Sequence, residues 1–389
     1  MDTIGTGTKR KARLVIVALA ATLAAALVVS GPGAGVAGAR SPQMRLAAPA
    51  GSTYLNAVDT FGTKPSNRGA FAVGDTLVGG ESRPSIQQLT NKGFVASAAD
   101  DPGTESGLAG VAALSATRAF AVGYEYDPTV TPLVERFNGQ AWSIVDVPDV
   151  QGWLDGVDAL SANDIYAVGG DFGGTLIMHF DGTAWTVMPG QVPNGMLTAV
   201  TAIAPDDVYA VGAVNDGGFK TLIMHFDGTA WTVVPSPNGG ATRNMLSSIA
   251  AVSATDIYAV GYSNETGAAD MDRTLVLHFD GTAWTIIPSP NLGSGRNELW
   301  GISARSATDI VAVGQSGNGT LIMRFDGTTW NIARRTLRFT GAGDALFGVA
   351  RIAKDDIYAV GGGLSDTKTP VTGYKTLVHH FNGKKWEDM

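Results

Sequence analysis

Four histidines recur at one position of an internal repeat, where a repeated side chain of this type could bind a metal ion. Each precedes a phenylalanine, and the four are His179, His225, His278 and His380. The other copies carry Gln88, Arg136 and Arg324 at this position. Equivalent positions in a ring of repeats lie far apart, whereas zinc requires ligands at about 2 Å. We therefore predict no metal site and expect each histidine to form a hydrogen bond between neighbouring repeats; His379 has no predicted role.

Two sets of aspartates repeat in the same way, and paired carboxylates could hydrolyse a glycosidic bond. One set comprises Asp164, Asp207, Asp256, Asp309 and Asp356, and the other Asp181, Asp227, Asp280 and Asp326. A catalytic site normally breaks the symmetry of a repeat, whereas these residues recur copy after copy. We therefore expect them to form turns, and we predict no catalytic residue among them.

Composition excludes several classes of chemistry. The 389 residues include no cysteine, so disulfides, thiolate metal sites and thiol nucleophiles are excluded. The net charge of −8 argues against binding a phosphate backbone, which requires Lys and Arg. The chain has no nucleophile elbow, Walker loop, zinc-protease motif or EF-hand spacing. We predict no cofactor and no nucleic-acid partner.

The repeat is defined by an Ala-Val-Gly triplet and a later tryptophan. Its glycine occurs seven times, at Gly74, Gly123, Gly169, Gly212, Gly261, Gly314 and Gly361. Six copies end in Trp142, Trp185, Trp231, Trp284, Trp330 and Trp386, and Phe94 takes that place in the first copy. We divide the chain into repeats 1 to 7 at about 52–98, 99–149, 150–192, 193–240, 241–293, 294–338 and 339–389.

Each repeat contains four strand patterns, which we call strands a to d. In repeat 5 they are 246–252, 257–260, 275–279 and 284–287. Strand a is rich in small residues, as expected of inner strands that crowd an axis, and strands b and c are apolar on both faces. Asp-Gly between strands c and d is a strong hairpin signal. Four short strands repeated seven times predict an all-β fold, a seven-bladed β-propeller with four antiparallel strands per blade over 52–389.

The first 51 residues precede the repeats. Basic residues at 9–13, an apolar run of 16 residues (Leu14–Val29) and the small residues of 36–39 predict a signal peptide over 1–39. The alternative is an uncleaved membrane anchor. Residues 40–51 form a leader, in which 44–50 resemble a strand d and are expected to join the outer edge of the last blade. A disordered leader is the alternative.

The repeat resembles that of secreted bacterial β-propellers of the kelch and galactose-oxidase central-domain type. The residues that carry the resemblance are Ile165 to Gly170, the strand c that follows and Trp185. The double glycine of kelch repeats occurs only at 169–170 and 361–362. Galactose oxidase uses copper and a Cys–Tyr cofactor, and this chemistry cannot be carried over to a chain without cysteine.

Candidate binding residues lie where the repeats differ, which is in the b–c and d–a loops at one end of the fold. Function on a rigid scaffold tends to lie in such loops. Aromatic residues mixed with Asp, Asn and Arg suit contacts with a sugar or a peptide. The candidates are Tyr124, Tyr126, Asp127, Trp153, Phe172, Asp216, Phe219, Arg243, Tyr262, Asn264, Arg296 and Tyr374. The alternative is ordinary loop polarity without a ligand.

Three functions are compatible with this pattern. The first is a secreted or envelope-associated, monomeric, non-catalytic propeller that binds a glycan, a cell-wall component or a cell-surface protein. The second is a polysaccharide hydrolase or lyase that uses two non-repeating acids, drawn from Glu125, Asp127, Asp155, Asp216, Glu265, Asp270, Asp272 and Glu298. The third is a structural envelope protein.

The signal peptide gives a direct test. If cleavage follows Ala39, the exported protein begins at Arg40, and its intact mass lacks residues 1–39. Mass spectrometry of the exported protein measures this intact mass. An envelope-bound chain that still contains residues 1–39 would instead establish the membrane anchor.

Overall fold

The computed structural model describes residues 52–62, 67–267, 271–317, 319–335, 343–364 and 374–389. These ranges contain 28 strands and no helix. Among the residues described, none therefore forms a helix long and apolar enough to cross a bilayer. The predicted signal peptide (1–39) and leader (40–51) lie outside the described residues and remain predictions.

Each repeat forms four strands. The a strands are β1 (Ser52–Phe61), β5 (Glu105–Ser115), β9 (Trp153–Ser161), β13 (Gly195–Ala204), β17 (Arg243–Ser253), β21 (Asn297–Ser306) and β25 (Ala345–Ala353). The b strands are β2 (Gly69–Val78), β6 (Arg118–Tyr126), β10 (Asp164–Gly170), β14 (Asp207–Asn215), β18 (Asp256–Asn264), β22 (Asp309–Ser316) and β26 (Asp356–Leu364).

The outer strands are shorter on average. The c strands are β3 (Glu81–Thr90), β7 (Val130–Phe137), β11 (Thr175–Phe180), β15 (Phe219–Phe226), β19 (Arg273–Phe279), β23 (Gly319–Phe325) and β27 (Tyr374–Phe381). The d strands are β4 (Gly93–Ser97), β8 (Trp142–Ile144), β12 (Trp185–Val187), β16 (Trp231–Val234), β20 (Trp284–Ile286), β24 (Trp330–Arg335) and β28 (Trp386–Asp388).

Within every repeat the strands pair in the order a, b, c, d, and all these pairings are antiparallel. Repeats 4 and 5 are joined into one eight-stranded sheet by a single parallel bridge between Phe219 and Arg243. The predicted four antiparallel strands per repeat are confirmed. This order places the a–b and c–d turns at one end, the turn face, and the b–c and d–a loops at the other end, the loop face.

The a strands form the innermost layer. Each packs against the a strand of the next repeat, and β25 packs against β1. Repeat 7 is joined to repeat 1 by two hydrogen bonds, from Thr60 Oγ1 to the Arg351 carbonyl (2.6 Å) and from Thr376 Oγ1 to the Thr53 carbonyl (3.0 Å). Apolar clusters fill the spaces between neighbouring sheets. Sheets packed face to face in this way form a β-propeller.

Small residues in the a strands allow this close packing. A Cβ on Gly156 would lie 2.8 Å from the Cα of Ala199 in the next repeat, and one on Gly348 would lie 2.9 Å from the backbone nitrogen of Val58. Both approaches are too tight for a side chain. The prediction that crowding at the axis selects small residues in strand a is confirmed.

A β-bulge in every a strand explains the Ala-Val-Gly triplet. In repeat 5 the register between β17 and β18 shifts between Leu246 and Ser248, directly opposite Gly261. A Cβ on Gly261 would lie 1.9 Å from the carbonyl oxygen of Met245, and the corresponding distances are 1.9–2.1 Å in all seven repeats. Bulges bend a strand and bring its main chain close to the partner strand. Glycine is therefore the only residue that fits opposite the bulge.

The aspartates of the c–d loops form turns and the tryptophans pack in the core, as predicted. Asp181 Oδ1 accepts hydrogen bonds from the backbone nitrogens of Thr183 (2.8 Å) and Ala184 (3.0 Å), and Gly182 takes the positive φ (93°) that the turn requires. Asp227, Asp280 and Asp326 repeat this turn. Trp231 is buried and reaches Tyr166 of the preceding repeat, 6.5 Å between ring centroids. The turn aspartates and the tryptophan series are therefore structural.

Replacing the triplet glycine should destabilise the fold. We expect Gly261→Ala to lower the free energy of unfolding by about 2 kcal/mol or more, because the new methyl group meets a main-chain oxygen that cannot move alone. Gly295→Ala is the control, since no heavy atom lies within 4 Å of its Cβ position. Thermal unfolding of both variants measures the difference. Equal melting temperatures would contradict this account of the motif.

Candidate functional site

The repeated histidines do not link neighbouring repeats, so that prediction is wrong. His179 Nε2 lies 2.8 Å from Asp164 Oδ1, and its ring lies 4.5 Å from the ring of Tyr166. All three residues belong to strands b and c of repeat 3, where Tyr166 and His179 are direct cross-strand partners. Three further repeats contain the same group, at Asp207–Tyr209–His225, Asp256–Tyr258–His278 and Asp356–Tyr358–His380.

These groups stabilise the sheet in which they lie. In repeat 6 Arg324 takes the histidine position and pairs with Asp309 at 2.7 Å, so the aspartate keeps a donor although the residue type differs. The first aspartate set therefore binds a side chain of strand c rather than forming a turn. Within the described ranges no three His, Asp or Glu side chains are placed to hold one metal ion.

Four candidate residues form a cluster on the loop face of repeats 2 and 3, which we call the aromatic patch: Tyr124, Tyr126, Trp153 and Phe172. Tyr124 is fully buried beside Val130, and Tyr126 and Trp153 pack against this pair while remaining half-buried. Phe172 is 61% exposed, and its ring meets that of Trp153 edge-on at 6.2 Å. The patch thus runs from a buried base to an exposed tip.

Hydrogen bonds hold the loops that carry the aromatic patch. Trp153 Nε1 donates to Asp155 Oδ2 (2.8 Å), which fixes the orientation of the indole. Asp171 Oδ1 accepts from the backbone nitrogens of Gly173 and Gly174, both at 2.6 Å, and so shapes the loop that presents Phe172. The Gly152 nitrogen donates to the Val130 carbonyl (2.9 Å), joining the loops of repeats 2 and 3. The patch is therefore rigidly supported.

A second set of candidates forms a buried polar cluster on the loop face of repeats 5 and 6, the Arg243 cluster: Arg243, Tyr262, Asn264, Asp272, Arg296 and Glu298. Arg243 lies over the Tyr262 ring (4.7 Å), donates to its hydroxyl (2.9 Å) and pairs with Asp272 at 3.1 Å. Asn264 Nδ2 also donates to Asp272 (2.8 Å). Arg243, Tyr262 and Asn264 are at most 9% exposed and lie in β17 and β18.

Asp272 and Glu298 are the two non-repeating acids that converge in this cluster. Both are buried and hydrogen-bonded to each other, Gln315 donates to Glu298, and Arg296 lies 3.6 Å from Glu298. Burial first, and the Asp272 carboxyl second, raise the pKa of Glu298 to about 8. Glycosidase carboxyls stand roughly 5–9.5 Å apart around the scissile bond. Two carboxyls in direct contact leave no room for a sugar, so this pair does not favour the hydrolase alternative.

The remaining candidates are dispersed. Asp127 is exposed beside the aromatic patch, and Asp216 is exposed and paired with Lys220 at 2.6 Å. Phe219 is half-buried and packs against the apolar cluster that contains Tyr262 and Trp300. Tyr374 opens β27 opposite Leu364. Of the other acids, Glu125 accepts a hydrogen bond from Thr104 (2.9 Å), and Asp270 lies outside the described residues.

A cleft that sequence reasoning missed lies towards the turn face of repeats 6 and 7. It has a volume of about 290 Å³ and is lined by Val311, Arg324, Ala333, Arg334, Ile357, Phe381, Lys384, Lys385 and Trp386. Three of its cations already pair with Asp309, Asp388 and Glu387. No sequence pattern predicted this cleft, because residues of two different repeats line it and the pattern within one repeat does not show how neighbouring repeats meet.

Comparison with solved structures agrees with the β-propeller fold. The chain is similar in structure to YCF48 bound to D1 peptide, with a TM-score of 0.54 and 12% identity over 86% of this chain and 93% of that one. It is also similar to YCF48 from Cyanidioschyzon merolae, with a TM-score of 0.51 and 15% identity over 80% of this chain and 94% of that one. At such identities the likeness concerns the fold alone.

No family model and no curated protein matches the chain. The specific resemblance to kelch and galactose-oxidase propellers therefore stays a prediction, whereas the propeller itself is confirmed.

The Asp272–Glu298 pair should make stability depend on pH. Glu298 has a pKa of about 8 in the folded protein against an ordinary 4.5, so the folded state binds the proton more tightly. Its contribution to stability is therefore lost as pH rises from about 5 through about 8. We expect Glu298→Gln, which keeps the buried group uncharged, to reduce the fall in melting temperature between pH 6 and pH 9.

The control is Glu265→Gln, which alters an exposed glutamate of the same loop face. It should retain the pH profile of the unmodified protein. An unchanged profile in Glu298→Gln would mean that Glu298 ionises normally in the folded state.

Proposed function

We propose that this protein is a non-catalytic binding propeller that holds a peptide segment of a partner protein on its loop face, at the aromatic patch. The observation that carries the proposal is the exposed Phe172 ring in edge contact with Trp153. Exposed aromatic rings on a rigid support are typical of binding hot spots, since they supply contact area at little cost in conformational entropy. Propellers commonly bind partners through such a face, although the fold alone does not specify function.

A structural neighbour offers support by analogy only. YCF48 is described in complex with D1 peptide, and it shares the fold of this chain at 12% identity. The observation favours a peptide over a glycan as the ligand to test first. Sugars also stack on aromatic rings, so a glycan or cell-wall component remains the competing ligand class in the experiment.

The test is a random-peptide library panned against residues 40–389, with a glycan array run in parallel. We expect peptides to be recovered and their affinity to fall at least tenfold in Phe172→Ala and in Trp153→Ala, because each change removes an aromatic ring of the patch. Val233→Ala is the matched control, since Val233 is 57% exposed on β16, away from the patch. Binding of glycans alone, or peptides insensitive to both changes, would overturn the proposal.

We also propose that the seven repeats form one closed ring of seven blades. Support comes from the packing of β25 against β1 and from the hydrogen bonds between Thr60 and Arg351 and between Thr376 and Thr53. A crystal structure viewed down the axis tests the count. Secretion, the monomeric state and the role of residues 44–50 remain proposals that rest on the sequence.

A further inference from the structure

Six of the seven interfaces between neighbouring repeats contain an aromatic side chain of strand b. Each of these side chains is at most 7% exposed, and its ring lies 5.1–6.2 Å from an aromatic ring of the neighbouring repeat. The six residues are Phe71, Phe120, Tyr166, Tyr209, Tyr258 and Tyr358. The equivalent residue of repeat 6 is Val311. Strand b therefore supplies no ring to the interface between repeats 6 and 7.

The cleft between repeats 6 and 7 lies where this ring is missing. At the preceding interface Tyr258 packs against Phe325, and Phe325 and Trp330 are only 8% and 5% exposed. The equivalent residues of repeat 7, Phe381 and Trp386, are half-buried and line the cleft. Its volume of about 290 Å³ is at the lower end of the range of small-molecule sites. Two aromatic rings that are covered elsewhere thus face an open space here.

A cation replaces an apolar residue at the same interface. In repeats 2 to 5 an apolar residue of strand d packs between the sheets: Val145, Met188, Val234 and Ile287. In repeat 6 a register shift inserts Ala333, so that Arg334 takes this position, opposite Ile322. Its guanidinium pairs with Asp388 at 2.6 Å and donates to the Trp386 carbonyl. Arg334 therefore brings charge to a position that is hydrocarbon in repeats 2 to 5.

A second arginine lies beside the missing ring. In repeats 3 to 5 the tyrosine ring lies 4.2–4.5 Å from the histidine ring of its own repeat. In repeat 6 the cross-strand partner of Val311 is Arg324, which pairs with Asp309 at 2.7 Å and lies over the Phe381 ring at 5.7 Å. Arg351 of repeat 7 pairs with the same Asp309 at 2.8 Å, and its side chain is only 5% exposed. Two guanidinium groups thus share one carboxylate.

The cations of the cleft outnumber the carboxylates that pair with them. Five cations line the cleft or share a carboxylate with one that does: Arg324, Arg334, Arg351, Lys384 and Lys385. Three carboxylates pair with them: Asp309, Asp388 and Glu387. Five positive charges against three negative ones leave an excess of two. Among the described residues the Lys384 ammonium has no hydrogen bond or ion pair, and Asp355 and Asp356 line a separate depression with Arg68. A positively charged cleft of this kind attracts an anion.

We infer that this cleft binds an aromatic ring that carries a carboxylate. The ring occupies the space that a tyrosine fills in repeats 3 to 5, where it contacts Arg324, Phe381 and Trp386. The carboxylate accepts hydrogen bonds from Lys384 and Arg334 at the exposed rim. A free aromatic acid and the C-terminal aromatic residue of a peptide both present these two groups. The inference is independent of the function proposed for the aromatic patch.

Ligand-observed NMR titration of the full chain tests the inference with four probes: phenylacetate, cyclohexylacetate, phenylacetamide and acetate. We expect phenylacetate to bind about tenfold more tightly, or better, than each of the others, which lack the aromatic ring, the charge or the whole ring system. Equal affinities for phenylacetate and cyclohexylacetate, or no binding of phenylacetate, would overturn the inference.

The tripeptide glycyl-glycyl-phenylalanine distinguishes the two sources of the ligand. Tighter binding of this peptide than of phenylacetate, with loss of binding when its C terminus is amidated, would identify a peptide terminus. Tighter binding of phenylacetate would identify a free aromatic acid.

A substitution taken from repeats 3 to 5 gives the sharper test. Val311→Tyr restores the missing ring, and we expect it to lower the affinity for phenylacetate about tenfold or more without lowering the melting temperature, because it fills an existing space. Val233→Tyr is the matched control, since Val233 is 57% exposed on β16, away from the cleft. Unchanged phenylacetate binding in Val311→Tyr, with the melting temperature preserved, would overturn the inference.

Lys384→Gln tests the anionic end of the site without altering the packed interface. We expect the affinity for phenylacetate to fall about fivefold or more and that for phenylacetamide to stay the same, because only the carboxylate needs the ammonium group. The control is Lys354→Gln, which alters an exposed lysine of repeat 7 that does not line the cleft. Equal losses in the two lysine variants would assign the effect to general surface charge and contradict the proposed site.

Discussion

A main-chain carbonyl oxygen, turned towards strand b by the bulge in each a strand, constrains the rest of this structure. It lies 1.9–2.1 Å from the point that a Cβ would occupy on the triplet glycine, so no other residue is accommodated there. The bulge recurs in all seven repeats, which keeps the a strands in one register and lets them pack closely. The residue after this glycine varies among the repeats: it is Asp75, Tyr124, Gly170, Ala213, Tyr262, Gln315 and Gly362 in turn. The triplet glycine is thus constant in all seven repeats, whereas the residue directly after it is variable.

The strands, the turns and the buried tryptophans could be predicted because each depends on local chemistry. Asp-Gly specifies a hairpin turn, and apolar runs specify strands buried on both faces. The recurring glycine is the mark that the bulge leaves on strand b, but a register shift between two strands could not be deduced from that glycine alone. The histidines were assigned to the wrong partner for a related reason. Pattern shows that His179 lies on a strand, but only the pairing of Tyr166 with His179 places Asp164 within reach.

The position of the candidate residues could be predicted from the sequence, whereas their exposure to solvent could not. Position in a variable loop identified both the aromatic patch and the Arg243 cluster, yet residue type could not show that Arg243, Tyr262 and Asn264 are buried while Phe172 is exposed. Burial depends on whether a neighbouring loop supplies a partner. Asp272, from the far end of the same insert, supplies one for Arg243. In the loops of repeats 2 and 3, by contrast, Phe172 is exposed while Tyr124 is buried beside Val130.

The contact between the first and last repeats has a consequence for the folding of the chain during its synthesis. Thr60 and Arg351 are 291 residues apart, and Thr53 and Thr376 are 323 apart, so the first strand meets its final neighbours only when nearly the whole chain has been synthesised. Contacts of such sequence separation are slow to form, and an unpaired apolar sheet face invites aggregation in the meantime. We therefore expect folding to be cooperative across the two ends, and we expect a nascent or truncated chain without the seventh repeat to present an apolar sheet face that chaperones could bind.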